Sequence, residues 1–184
     1  MKHPSSREFF AYWSGKRGDA RAPDRSDIEP GAVRALLGDI FVLSCDASAG
    51  HPFRLAGTRL CALFGRDLKD SSFSALFKGE SRDEIEEILT AVAEDMRPAV
   101  AGLTSTTPRA ARVHLELLLL PLNMRAYAPI SMTGLLAPFE ADAGGLGKLE
   151  LTSYRYVHQG EKIISRTLRK LAIARGLMVY EGLR

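Results

Sequence analysis

The sequence predicts an α+β domain: a five-stranded antiparallel sheet with helices on one face, an N-terminal helix and a C-terminal extension. Five segments are predicted to be strands, from alternation of apolar and polar residues or from a high content of branched and aromatic residues, and the longest covers residues 112–122. Residues 81–96 instead repeat apolar side chains every three or four positions, which is typical of an amphipathic helix. The helical segments of the core fall between the second and third strands.

The first 38 residues are predicted to form a helical segment and a linker. Ser5 and Glu8 have the spacing of a capping box, which predicts that a helix begins there. Its aromatic residues share one face, and rings of this size must pack against something. They dock on the domain's own sheet, form a dimer interface, or do both. These predicted interface residues are Phe9, Tyr12 and Trp13.

The domain then opens with a predicted hairpin and a corner. A short helix with Pro30 in its first turn precedes a strand over residues 39–45, and a turn leads to the second strand at Phe53. In that strand Phe53 and Leu55 are expected on one face. Gly57 permits a change of direction, and a short helix capped by Thr58 follows.

Two helical segments follow the corner, over residues 71–77 and 81–96. The second begins with several acidic residues, which are favourable at a helix N-terminus. Consecutive acids point in different directions and no histidine stands among them, so we expect a solvated face and not a metal cluster. These residues are Asp83, Glu84, Glu86 and Glu87.

Strands three to five are predicted over residues 98–107, 112–122 and 127–138. Residues 117–120 are apolar on both faces, which indicates that this part of the sheet is covered on both sides. The core helices would cover one side. The N-terminal helix, the C-terminal tail or a second subunit would cover the other.

The C-terminal extension differs from the rest in charge. Residues 1–147 hold 17 Lys and Arg against 19 Asp and Glu, a net charge of −2, whereas residues 148–184 hold 8 against 3, a net charge of +5. After a flexible linker over 141–147, the pattern predicts a strand over 149–156, a basic amphipathic helix over 163–174 and a strand over 177–180. The basic helix is either a solvated face or a site for an anionic partner.

Several motifs, in this order, resemble PAS-like proteins of alphaproteobacteria (PAS family 5), many of them labelled only as domains of unknown function. The resemblance spans residues 7–140 and implies a sensory or regulatory module; it implies neither an enzyme nor a particular ligand. Asp70 departs from the glycine usual in the turn at 69–72. The matching segments are residues 9–13, 21–30, 54–60, 64–68 and 115–122.

Composition narrows the class of protein. The chain has no apolar run of the roughly 18–20 residues that cross a bilayer, and its first residues lack a signal peptide's apolar core. Cys45 and Cys61 are too few and too far apart for a disulfide framework or zinc site. We therefore expect a cytoplasmic protein, divided into an N-terminal segment 1–38, a PAS-like domain 39–140 and an extension 141–184.

No motif in the sequence indicates catalysis, a metal or a cofactor. The four histidines share no motif with a nucleophile, and phosphate-loop and metalloprotease patterns are missing. We expect no enzyme and no cofactor. The predicted ligand-binding residues are polar side chains at strand faces and the corner, together with apolar residues near the expected cavity: Arg54, Arg59, Leu60, Phe64, Phe77, Arg112, His114 and Glu116.

Arg112, His114 and Glu116 should form a row on one face of a strand. Such a row either orients an anionic or hydrogen-bonding ligand or makes cross-strand ion pairs on a solvated sheet. We expect a regulatory adaptor that acts through protein contacts, as a homodimer and with an unidentified signalling partner, and that a small ligand can gate. The alternative is nucleic-acid or anionic-surface binding through the basic tail.

Overall fold

A six-stranded antiparallel sheet forms the centre of the computed structural model, which describes residues 1–123, 130–141, 143–157, 168–174 and 177–182. The strand order is β2-β1-β5-β4-β3-β6. In chain order the strands are β1 Ile40–Ser44, β2 Phe53–Ala56, β3 Ala99–Thr106, β4 Arg112–Pro121, β5 Ser131–Pro138 and β6 Glu150–Tyr156.

In the described part of the chain, three α-helices pack on this sheet: α1 Pro4–Arg17, α2 Thr58–Phe64 and α3 Glu80–Glu94. Helices α2 and α3 and a 3-10 turn at Ser74–Leu76 stand between β2 and β3 in the chain, as predicted. Their apolar residues pack with the alternate side chains of β3 and β4 into the main core. We call this side of the sheet the inner face.

A second core lies on the opposite side of the sheet, the outer face. There Phe9 and Trp13 of α1 pack with Leu118 and Leu120 of β4 and Leu135 of β5, and all five are buried. The alternation of β4 sends Leu117 and Leu119 to the inner core instead. The prediction that residues 117–120 are covered on both sides is therefore confirmed, and α1 is what covers the outer side.

The predicted α+β class is confirmed, and the strand number is corrected from five to six. Residues 149–156 were expected to be a strand of the C-terminal extension, and β6 pairs along β3 as the sixth strand of the same sheet. The preceding residues also contact the domain: the amide of Leu146 donates to the carbonyl of Leu63, and Leu146 is buried. The expected flexible linker is thus partly anchored.

The predicted basic helix is wrong for residues 168–174. Strand β7, Leu168–Ala174, pairs antiparallel with β8, Leu177–Gly182, in a separate two-stranded sheet. Leu168 and Leu171 have helical spacing, but Leu171 and Ile173 also alternate with alanines, and a β-branched residue favours the strand. Residues 163–167 lie outside the described part of the chain, as do residues 127–129 of the fifth predicted strand.

Sequence motifs for helix starts predicted the structure less accurately than the patterns of apolar residues did. Helix α1 begins at Pro4 and is capped by His3, whose Nδ1 accepts from the amide of Ser5 at 3.2 Å, so the Ser5–Glu8 capping box is wrong. Where a helix was predicted after residue 26, the chain has 3-10 turns at Arg25–Asp27 and Pro30–Val33. Pro30 and the adjacent Gly31 explain why no longer helix forms.

Leu55 does not share a face with Phe53. The pairing of β1 with β2 shifts between Val42 and Leu43, so that Val42 lies opposite Leu55 and Leu43 opposite Phe53. This bulge changes the alternation, because one extra residue turns the following side chain to the other face. Phe53 is buried, whereas Leu55 is 46% exposed and cannot line the inner core as predicted.

The longest helices, α1 and α3, have 14 and 15 residues. Within the part of the chain that the structure describes, no helix is long and apolar enough to span a bilayer.

Candidate functional site

A concave surface of the described part of the chain is a groove on the outer face of the sheet, beside the N-terminus of α1. It has a volume of about 750 Å³ and is lined by parts of β3, β4 and β6, by the first two residues and by the residues after β5. We call it the outer groove. Its lining residues are Met1, Lys2, 100–103, 114–116, Phe139, Glu140 and 152–155.

The strand periodicity of β4 places His114 and Glu116 in this groove. Both lie on the face opposite Leu115 and Leu117, which belong to the inner core. Arg112, two residues earlier on the same strand, is exposed and does not line the groove. The row expected from the sequence thus exists on one face, but only two of its three members reach the groove.

Glu116 ties the start of the chain to the sheet. Its Oε2 accepts from the backbone amide of Lys2 at 2.6 Å, and its Oε1 accepts from the amide of His3 at 3.0 Å. The residue is only 5% exposed, and hydrogen bonds to the carboxylate compensate for its burial. Its position beside α1 therefore holds the N-terminal segment at the edge of the outer groove.

His114 is paired with Glu140 at the groove's rim. Its Nδ1 lies 2.9 Å from Oε1 of Glu140, and its backbone amide donates to Oε2 at 2.9 Å. Partial burial alone would raise the pKa of Glu140, but these hydrogen bonds favour the carboxylate and hold its pKa below the ordinary value. Glu140 is therefore ionised at neutral pH and fixes the orientation of the imidazole.

Arg59 lies away from the groove, in the corner after β2. Its Nε and one terminal nitrogen donate to the two carboxylate oxygens of Asp39 at 2.8 and 2.6 Å, and the guanidinium also donates to the carbonyl of Ala35. Gly57 is required here, because a Cβ would stand 2.3 Å from the carbonyl oxygens of Leu37 and Gly38. Arg59 thus holds the corner together; Arg54 is exposed on β2.

The apolar ligand candidates belong to the inner side of the sheet. Leu60 and Phe77 are buried in the main core, and Phe64 is partly buried against it. The space between sheet and helices is occupied by four packed rings, with neighbouring centroids 5.3–5.8 Å apart. These rings are Phe41, Phe53, Phe73 and Phe77.

The predicted interface residues face their own chain. Phe9 and Trp13 are fully buried, and Nε1 of Trp13 donates to the carbonyl of Pro121 at 3.0 Å. The hydroxyl of Tyr12 accepts from the amide of Glu29 at 2.8 Å and so ties α1 to the following loop. Of the two alternatives, docking on the domain's own sheet is the one seen, and a dimer through these rings would require α1 to leave the sheet.

Several residues of the outer groove were not predicted. Phe139 is 48% exposed, and Arg155 lies across from Val100 in the β3–β6 pair. Tyr154 lies across from Ala101 of the inner core, and its ring packs against Tyr156 on the inner face. Arg155 stands in a predicted strand, but the strand with which it pairs is not evident from the sequence. Among the described residues, no three of His, Cys, Asp and Glu come together as a metal site.

The chain matches a known protein family and is similar to several solved structures. A family model for the PAS domain matches residues 1–137. No curated protein matches the chain. Among solved structures, a Rhodobacter sphaeroides LOV protein is 17% identical with a TM-score of 0.43, and the match covers 59% of this chain and 66% of that protein.

Two further structures have the same TM-score. The PAS domain of an HTR-like protein from Haloarcula marismortui is 17% identical with a TM-score of 0.43, over 59% of this chain and 90% of that one. The LOV domain of the blue-light photoreceptor Aureochrome1 is 11% identical with a TM-score of 0.43, over 60% and 88%. These values are too low to transfer a ligand or an activity.

The family match covers more of the chain than these structures do, because it includes the N-terminal helix, which forms the outer core, and the sheet up to β5. With residues 1–137 of 184 matched, the chain belongs to the PAS domain family, a family of sensory and signalling modules.

Proposed function

We propose that this PAS domain is a signalling adaptor that binds a partner protein through the outer groove. The observation that carries the proposal is the connection between the groove and α1. Glu116 lines the groove and at the same time binds the amides of Lys2 and His3, directly before the helix. A partner seated in the groove would therefore contact the residues that hold α1 in place.

This connection suggests how binding is transmitted. A partner that binds more tightly when the N-terminal segment is docked, or when it is released, shifts the population of the two arrangements by its difference in affinity. Helix α1 is the element that responds, since its attachment consists of a few hydrogen bonds and one buried aromatic cluster. Release of α1 would also expose Phe9 and Trp13 for further contacts.

The composition of the groove favours a protein over a small ligand. Its exposed ring, Phe139, and its arginine, Arg155, belong to the residue types that are enriched at protein interfaces. The inner side, where a small ligand was expected, is packed with phenylalanine rings. We further propose that the domain acts in the cytoplasm and without catalysis, as the contacts of His114 and Glu116 have structural roles.

Site-specific photo-crosslinking in cells tests the adaptor proposal. A benzoylphenylalanine replaces Phe139 in the outer groove, and in a matched control it replaces Glu84, an exposed residue of α3 outside the groove. We expect a discrete crosslinked species from position 139 only, identified by mass spectrometry as a signalling protein. A species of twice the 20.1 kDa chain mass would instead identify a second copy as the partner.

Two results would contradict the proposal. One is the same set of crosslinked proteins from both positions, which indicates collision and not docking. The other is the lack of any crosslink at position 139 in a protein that is folded and abundant. In either case native mass spectrometry of the purified chain, compared with its denatured mass, would show whether a small ligand is bound instead.

A further inference from the structure

A second concave surface lies on the other side of the sheet, between α3 and the turn that joins β1 to β2. It has a volume of about 490 Å³. We call it the acidic groove. Its lining residues are Ala47, His51, Asp83, Glu86, Glu87, Thr90, Ala91, Glu94 and Asp95.

Five carboxylates line this groove, and no lysine or arginine is among its lining residues. Asp83, Glu87, Glu94 and Asp95 are exposed, so nothing within the described chain covers them. Glu86 is held by a hydrogen bond from Ser74, the main cause of its lowered pKa, and by Arg82 at 3.3 Å. The expected role of such acids, compensation of the helix dipole, applies only to the first turn and not to Glu94 or Asp95.

His51 gives the groove a second, independent feature. The residue lines the groove although it is only 3% exposed, and its Nδ1 is buried without a hydrogen-bond partner. Burial lowers the pKa of its imidazole, so that the ring is neutral at pH 7 and can accept a hydrogen bond. A buried polar atom without a partner is costly, and a donor brought by a ligand would remove that cost.

We propose that the acidic groove binds a basic peptide segment of a partner protein, with arginine side chains along the carboxylates and one donor directed to His51. The carboxylates extend from residue 83 to residue 95 of the chain, about 18 Å along a helix. That spread is too large for one metal ion, and no metal cluster is found in the described residues. It matches roughly five or six residues of an extended peptide.

Arginine suits this arrangement better than a small cation. Its guanidinium forms paired hydrogen bonds with a carboxylate and keeps donors for a further acceptor such as an imidazole nitrogen. Successive arginines in an extended peptide can reach separate carboxylates on α3. The inference goes beyond the adaptor proposal, because this surface lies across the sheet from the outer groove and needs no movement of α1.

Fluorescence anisotropy with a labelled Arg-Gly repeat octapeptide, (Arg-Gly)4, tests the inference on the full chain. The groove variant Glu87→Gln/Glu94→Gln removes two exposed groove carboxylates. The control Glu80→Gln/Glu84→Gln removes two exposed carboxylates of the same helix that do not line the groove. We expect saturable binding that weakens at least about tenfold in the groove variant and less than about threefold in the control.

A third variant, His51→Gly, removes the buried acceptor. Gly adopts the positive φ of 55° at this position without strain, so the turn should persist. We expect peptide binding to weaken several-fold while the circular dichroism spectrum is kept. If the groove variant proves unstable, the folded His51→Gly variant is the deciding test. No saturable binding by the wild-type chain, equal loss in both double variants, or unchanged binding by a folded His51→Gly variant would overturn the inference.

Discussion

The two faces of the sheet are covered in different ways. The inner face carries one continuous core, in which four phenylalanine rings and the aliphatic residues of α2 and α3 leave the sheet fully covered. The outer face is covered only in part, by the aromatic side of α1. Its remainder is a groove lined by polar and charged side chains and by the exposed ring of Phe139.

We expect the inner face to contribute most of the stability of the domain, and the outer face to hold the element that can move, α1. Apolar burial on the inner face follows from many contacts, and no single one of them can be exchanged without loss. The outer face is held by a smaller core and by identifiable hydrogen bonds, those of Trp13 and Glu116. Elements with few such attachments open more readily than the rest of a domain. We therefore expect α1 to open before the sheet does.

The largest effect is expected on the inner face. Phe73 packs against Phe41, Phe53 and Phe77, so Phe73→Ala should lower the free energy of unfolding by about 3–5 kcal/mol. Urea unfolding followed by circular dichroism measures it. The matched control Phe139→Ala, at an exposed ring of the outer groove, should change stability by less than about 1 kcal/mol. Similar losses in both variants would contradict the contrast between the faces.

A smaller and local effect is expected at Glu116. Glu116→Gln keeps one acceptor but removes the charge that binds the amides of Lys2 and His3, at a cost of about 1–2 kcal/mol. Hydrogen exchange of residues 1–17 should become about tenfold faster or more, whereas the sheet keeps its protection. His114→Gln, on the same strand face, is the control and should leave that segment unchanged. Equal exchange in both variants would show that Glu116 does not hold α1.

The smallest effect is expected from pH at the groove's rim. The pKa of Glu140 is lowered from its ordinary value of 4.5 in the folded state, so its carboxylate stabilises the fold above that value. This contribution is lost as pH falls through the lowered pKa. The stability difference between wild type and Glu140→Gln should therefore shrink as pH falls below about 4.5. A difference that grows as pH falls below that value would contradict this sign.

Regular burial could be predicted from the sequence, and contacts between distant residues could not. The alternation of residues 117–120 predicted two covered faces, and the spacing of Ile85, Ile88 and Val92 predicted the buried side of α3. Both patterns are local and reflect burial directly. The exposure of Leu55 was missed, because it depends on a bulge that only the pairing of β1 with β2 creates.

The candidate sites were less predictable for the same reason. His114 and Glu116 were identified as polar residues on one strand face, but their partners are Glu140 and the amides of Lys2 and His3, up to 114 residues away. The acids of α3 were identified too, and taken as a solvated face. Only the position of His51 beside them, in a turn more than 30 residues earlier, distinguishes the acidic groove from an ordinary charged surface.

The long connection between Glu116 and Lys2 has a consequence for synthesis on the ribosome. Helix α1 is made before the sheet on which it docks, and the residues against which Phe9 and Trp13 pack extend to Leu135 and Ala137 of β5. At roughly 5–20 residues per second, the helix waits several seconds or more with its aromatic side uncovered. Exposed rings of this kind favour contacts with chaperones during that interval, which ends when β5 has been made and before β6 completes the sheet.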